Sequence, residues 1–269
     1  MTGFFVSGGS SNWIPVKRVW IALGIAGALA ALALAMSWWS GFALLLLLPA
    51  SGAGWAAFVM TLIRQQLGGG WEHRIHQLVV DRLALAADSN VSVLDIGCGE
   101  ASLLIALLEV APKVKASGVD YWGADWDYAQ SACEARLSGL GLHATFARMD
   151  AAQLDFPDES FDIVVSVMCF HEVKTPRGSS ILGPQVALGE ALRMVRPGGT
   201  FVFIDRFADK SDFGDPAILA ALLEQGVALR REPLVETLGI PWPLSTKRAL
   251  GPAEIVSGTR AATAGVGLH

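Results

Sequence analysis

The stretch "VSVLDIGCGEASLL", Val91–Leu104, decides how this chain folds. Apolar and β-branched residues run from Val91 through Asp95 to Ile96, which predicts a strand. Gly97-Cys98-Gly99 follows, a turn almost without side chains. Two glycines there let the chain reverse sharply and let a ligand approach the backbone. Ala101–Val110 then shows the apolar spacing of a helix. The acid just ahead of the turn, Asp95, disfavours a pyrophosphate, because like charges repel. It favours a ligand with positive charge or with hydroxyl and amine donors.

Outward from this stretch, strands and helices alternate. Strands are predicted at Ala116–Asp120, Leu142–Ala147, Phe161–Val167 and Thr200–Asp205. Helices are predicted at Ala124–Ser138 and Gln185–Val195, and Pro197-Gly198-Gly199 reads as a turn. The unbroken apolar run Phe161–Val167 suits a strand covered on both faces. The expected fold is α/β, a doubly wound, mostly parallel sheet. Ligands of such sheets bind beyond the carboxyl ends of the strands. Asp120, in "GVDYW", ends the second strand 25 residues after Asp95, where an acid can accept both hydroxyls of a ribose. Asp150, in "RMDAAQLD", ends the third strand, where an acid can take an adenine amino group.

These residues resemble class I S-adenosylmethionine-dependent methyltransferases over roughly Val91 to Asp205. The likeness rests on "LDIGCGEA", "GVD", "MDAAQLDFPDESFD" and "RPGG", in that order. A nicotinamide-binding domain would call for G-x-G-x-x-G, and Ser102 stands where its third glycine would be. The resemblance implies a Rossmann-like fold and S-adenosylmethionine as cofactor. It implies a cofactor site of Asp95, Gly97, Cys98, Gly99, Asp120, Asp150 and Ala151, with Tyr121 or Trp122 giving an aromatic face to the adenosine. For Tyr121, Trp122 and Trp126 the other reading is packing at the start of the next helix. Cys98 is read as a small filler between glycines and not as a nucleophile, since nothing near it in sequence lowers a thiol pKa.

Methyl transfer asks the protein to hold the nucleophile in line with an activated methyl group. A base is needed only if the nucleophile arrives protonated. His171 and Glu172, just beyond the fourth strand, are the candidate catalytic residues. The other reading of His171 is a packed or hydrogen-bonded imidazole near the cofactor. His73, His76, His143 and His269 carry no motif. No metal site is expected: there is no H-E-x-x-H, no C-x-x-C and no acidic cluster of ligand spacing.

The N-terminus has another character. Val19–Ile63 carries no charge and divides into apolar runs Val19–Trp39 and Gly41–Ile63. About 20 apolar residues span a hydrocarbon core as a helix, so two transmembrane helices in a hairpin are expected. Trp20, Trp38 and Trp39 near the run ends suit the headgroup region. Lys17 and Arg18 before the first run and Arg64 after the second orient both ends to the cytoplasm. The expected organisation is a segment 1–18, the spans 19–63, a linker and amphipathic helix 64–87 opened by Gly68-Gly69-Gly70, and a methyltransferase domain 88–269. The second half of that domain is expected to end in two antiparallel strands, as the resemblance implies. "GIPWPLSTKRALG" sets Trp242 beside Lys247-Arg248, either on an anionic bilayer surface or in a solvated loop.

All 25 acidic residues and 18 of the 20 basic ones follow Ile63, which leaves that part net acidic and a poor candidate for gripping phosphate backbones, so no nucleic-acid partner is expected. Cys98, Cys133 and Cys169 read as free thiols in a reducing compartment. The expectation is a membrane-anchored methyltransferase acting on an apolar or membrane-embedded small molecule of lipid, quinone or isoprenoid type. The rivals are a non-catalytic cofactor-binding scaffold subunit and a protein methyltransferase. Small residues four apart, Gly24/Ala28, Gly27/Ala31/Ala35 and Gly52/Ala56, suggest homo-oligomers through the hairpins.

Overall fold

A computed structural model describes residues 13–123, 129–224 and 227–260. These fall into two compact units, one up to Glu72 and one from His73 onward.

The first unit holds α1 (Val16–Ser37), a 3-10 segment Gly41–Leu46 and α2 (Leu47–Gln66). At 1.5 Å per residue a helix of about 22 residues is about 33 Å long, near the thickness of a hydrocarbon core. By length and composition both helices could cross a membrane. They pack against each other, and Arg64 near the end of α2 donates to the carbonyl of Ile14 ahead of α1, so they run antiparallel. Small residues fill the shared face: Ala33, Ala50 and Ala57 are buried. Trp20, Leu34, Trp38, Trp39, Phe42 and Leu48 point outward, Trp38 with 91% of its surface exposed. A core in water would bury the large apolar side chains first. Pro49 falls in the first turn of α2, where its missing N–H costs least. A π turn, Leu67–Trp71, follows α2, and the chain kinks within it at Gly70, whose φ of 114° is not helical.

The second unit opens within α3 (Glu72–Leu83), at its second residue, and Ile75, Val79 and Val80 of that helix are buried along one stripe, as their helical spacing requires. Seven strands then form one sheet: β1 (Ser92–Ile96), β2 (Lys115–Asp120), β3 (Ala144–Arg148), β4 (Phe161–Val167), β5 (Val195–Asp205), β6 (Val227–Pro233) and β7 (Glu254–Arg260). Their order is β3-β2-β1-β4-β5-β7-β6. β1 to β5 pair in parallel, and β7 is antiparallel to both of its neighbours. The intervening helices are α4 (Ser102–Val110), α5 (Gln130–Gly139), α6 (Gly183–Met194), α7 (Lys210–Phe213), α8 (Pro216–Glu224) and α9 (Leu234–Leu238).

The α/β, Rossmann-like sheet expected from the alternation is therefore present, and several boundaries move; α6 begins at Gly183, two residues earlier than expected. α5 begins at Gln130, because Ala129 is extended; residues 124–128, with Trp126, lie outside the described residues. β3 starts at Ala144, two residues later than expected. The "RPGG" turn is absorbed into β5 as a bulge: the pairing with β4 jumps from Phe161↔Val195 to Ile163↔Thr200, and Gly198 takes φ 75°. Beneath the carboxyl ends of β4 and β5 lies a cluster of buried aromatic rings. Phe170 meets Phe203 edge-on at 5.3 Å, Phe201 stacks on Phe203 at 5.0 Å and Phe207 meets Phe213 at 4.7 Å. These rings make a rigid floor under the residues that follow β4 and β5.

Candidate functional site

The strand order reverses between β1 and β4, and a crevice forms beyond the carboxyl ends of strands at such a reversal. Gly97 leaves β1 with φ 76°, and a Cβ on it would come within 2.4 Å of both Cβ and Sγ of Cys169. Only glycine fits. The chain after β1 and the chain after β4 therefore touch. The amides of Gly97 and Cys98 both donate to the carbonyl of Val119, at 2.8 and 3.1 Å, which fastens the turn to β2.

Asp120 joins this turn to the next. Its Oδ2 accepts from the amide of Gly99 at 2.9 Å and its Oδ1 from that of Trp122 at 2.8 Å. Each carboxylate oxygen keeps a further lone pair for a ligand hydroxyl. Trp122 sits at φ 44°, and its indole Nε1 donates to the carbonyl of Gly99 at 3.0 Å. Trp122 thus lies against the glycine turn. Tyr121 is exposed, with the Arg148 guanidinium 5.0 Å from its ring centre. Beyond β3, Met149 donates to the carbonyl of Asp120 at 3.0 Å, which sets Asp150 beside Asp120. Asp150 is exposed and caps its own turn by accepting from Ala152 at 2.9 Å; Ala151 is half-buried.

Asp95 is buried, and its Oδ2 has no hydrogen-bond partner. Burial, and then the charge of Asp120, raise its pKa to about 8. A buried carboxyl oxygen left without a donor, one residue from a glycine turn, fits a ligand that brings donors or positive charge. S-adenosylmethionine brings both. Cys98 is buried in the same turn; the hydrogen bond with Cys133, burial and the Asp95 and Asp120 charges hold its thiol well above the ordinary range. Cys133 in turn donates to the carbonyl of Gly99 at 3.0 Å. The Cys98 thiol is packing, with no thiolate character.

His171 stands just beyond β4. Its Nδ1 lies 2.7 Å from Oδ1 of Asp205, and its Nε2 lies 3.6 Å from Oε1 of Glu172, too far for a hydrogen bond. Burial pulls the imidazole pKa down. The charge and hydrogen bond of Asp205 and the charge of Glu172 outweigh that, and the pKa sits above its usual value. Asp205, the last residue of β5, was not among the site residues expected from sequence. The available signal was an acid ending a buried strand, "FVFID", the same position that singles out Asp120. Arg206 follows it and binds Asp209 at 2.6 Å, Asp212 at 2.7 Å and the carbonyl of Ala249 at 2.9 Å. Through Arg206 the segment with Trp242, Lys247 and Arg248 is anchored beside the end of β5, and all three of those side chains are exposed.

Residues 94–203 match a family model described as a methyltransferase domain. Among curated proteins, the chain is 32% identical over 113 residues to the demethylmenaquinone methyltransferase of Thermus thermophilus, covering 42% of this chain and 46% of that one. It is 30% identical over 116 residues to the phosphatidylethanolamine N-methyltransferase of Cereibacter sphaeroides, covering 43% and 51%. The match thus spans about half the length of each relative. Among solved structures, a geranyl diphosphate methyltransferase in complex with S-adenosylmethionine shares the fold, with TM-score 0.52 and 12% identity over 75% of this chain and 88% of that one.

Proposed function

We propose, on the premise that residues 94–203 are a class I S-adenosylmethionine-dependent methyltransferase domain, that the whole chain is a membrane-anchored methyltransferase whose acceptor is an apolar or membrane-embedded small molecule. The lipid, quinone or isoprenoid class fits best. When bound, S-adenosylmethionine supplies a methyl group already activated on a sulfonium. Asp95, the Gly97–Gly99 turn, Asp120, Asp150 and Ala151 would hold it, and Trp122 or Tyr121 would flank its adenosine. His171 and Glu172 would face the acceptor.

The observation that carries the membrane part is the inverted hairpin, with alanines between α1 and α2 and tryptophan, leucine and phenylalanine outside. Lipid removes the drive to bury large apolar side chains, and helices in lipid approach through small residues. Positive charges at Lys17, Arg18 and Arg64, with none in the turn between the helices, support a cytoplasmic N-terminus and catalytic domain. The quinone and phospholipid in the relatives' names support an apolar acceptor. A tethered enzyme meets acceptors dissolved in the same bilayer at high effective concentration.

The test compares the full chain with a form lacking Met1–Ile63 in methyl transfer to lipid extract held in liposomes. The truncated form is expected to keep cofactor affinity and to lose transfer about tenfold or more, in line with effective-concentration gains. Equal rates, or activity confined to water-soluble acceptors, would end the proposal. A second expectation concerns assembly. Gly24, Ala28, Ala31 and Gly52 face outward from the hairpin, and a Cβ on either glycine would meet nothing within 4 Å. Such open small-residue faces permit close contact with a second copy in lipid. Light scattering in mild detergent is expected to give the mass of an oligomer, and a single-chain mass refutes it.

A further inference from the structure

We propose that Asp205 is a positioning residue that fixes His171 as a general base, and that the acceptor is a phenolic or enolic compound whose hydroxyl proton His171 removes. This rests on the methyltransferase reading above and adds the chemistry of the acceptor.

Asp205 is fully buried at the end of β5. Its Oδ2 accepts from the amide of Phe170 at 2.7 Å, and its Oδ1 from the amide of Arg206 at 2.7 Å. The third group on it is Nδ1 of His171 at 2.7 Å. A carboxylate that collects two amide donors acts as an acceptor, so Nδ1 carries the proton and the neutral ring keeps its lone pair on Nε2. Among the described residues no donor takes that lone pair. Glu172, at 3.6 Å, comes into play once Nε2 gains a proton, when its carboxylate stabilises the new charge. Arg206, whose charge also acts on the ring, is occupied by Asp209 and Asp212. The contact of Cys169 with Gly97 keeps this segment beside the cofactor turn. A histidine that only packs has no need of a buried acid that selects its tautomer.

The base selects the acceptor. An amine can lose its proton to solvent before it enters, and an alkene has none to lose at the start. A phenol or enol hydroxyl turns strongly acidic only as the new bond forms, so its proton leaves inside the site. A phenol titrates near 10, within reach of an imidazole, whereas water titrates near 15.7 and an aliphatic hydroxyl behaves more like water. In the step, the hydroxyl proton passes to Nε2 and the O–H electron pair stays with the acceptor. A pair on the acceptor forms the bond to the methyl carbon. The pair of the broken carbon–sulfur bond remains on sulfur, which ends as a neutral thioether, and the imidazolium stands between Asp205 and Glu172.

The first test needs no acceptor. Nitrogen NMR of the full chain in detergent, with Nε2 and Nδ1 of His171 assigned through His171→Asn, is expected to show the Nδ1-protonated tautomer. In Asp205→Asn the ring should revert toward the Nε2-protonated form and titrate at lower pH. An Nε2-protonated ring in the wild type, or one unmoved by the substitution, overturns the dyad. The second test offers 4-dodecylphenol or dodecylamine in phosphatidylcholine vesicles with methyl-labelled S-adenosylmethionine. Transfer to the phenol is expected, with kcat about thirtyfold lower in Asp205→Asn, KM unchanged and the acid limb of the pH profile displaced downward. Transfer to the amine alone, or to neither while calorimetry shows cofactor bound, overturns the acceptor assignment. Absence of cofactor binding would instead remove the methyltransferase reading and leave the NMR result standing.

Discussion

Asp120→Ala is expected to weaken S-adenosylmethionine binding by about a hundredfold or more. The carboxylate accepts from the amides of Gly99 and Trp122, and so holds two turns in register before any ligand arrives. Its removal leaves both amides seeking partners and takes away the acceptor for the ribose hydroxyls. Hydrogen bonds to a charged group are worth about 1.5–3 kcal/mol each, and about 1.4 kcal/mol is tenfold in affinity. Two such bonds would give about a hundredfold at the low end, the appropriate end for a half-buried side chain. Asp120→Asn keeps one acceptor oxygen and should fall between alanine and wild type. Calorimetry on the full chain measures this, with circular dichroism to show that the sheet is intact. An unchanged affinity in the alanine variant would take Asp120 out of the site.

What made Asp120 legible is that its role is local. It ends a strand, a glycine turn lies upstream at a fixed interval, and strands and helices alternate on either side. β4 was readable to the residue because a strand buried on both faces is a continuous apolar run. Asp205 was not legible as a partner of His171, because 34 residues and a helix separate them and no short pattern encodes a contact between the ends of adjacent parallel strands. The bulge in β5 was hidden for another reason. Pro-Gly-Gly reads as a turn, and it is one, but the strand resumes pairing with β4 on both sides of it. Trp122 shows the same limit at the scale of one side chain. An aromatic after "GVD" could stack on a ligand or pack, and only the backbone at φ 44° brings its indole onto Gly99.

The burial of Asp95 is the least legible feature and has the largest consequence for pH. In the ligand-free protein this carboxyl titrates at about 8 and is protonated at neutral pH, because burial and the Asp120 charge disfavour its anion. S-adenosylmethionine is positively charged and favours the carboxylate, so binding should expel the proton. Affinity should then rise with pH up to about 8 and level off above it, changing about tenfold per unit below that point. About fiftyfold weaker binding is expected at pH 6 than at pH 8, as the ionised fraction falls from about one half to about one hundredth. Calorimetry at pH 7 in two buffers of different ionisation enthalpy should count nearly one proton released per cofactor. Asp95→Asn should bind more weakly at pH 8, release no proton and show a flat profile, which separates this group from titration of the cofactor itself. Stability follows with the opposite sign. Between about pH 4 and 8 the folded, ligand-free protein holds a proton that the unfolded chain has released, so its stability falls as pH rises through that window. Bound cofactor removes that penalty. The gain in Tm on adding S-adenosylmethionine should therefore grow from pH 6 to pH 8 in the wild type and stay constant in Asp95→Asn, and a gain independent of pH in both would mean that the cofactor never meets this carboxyl.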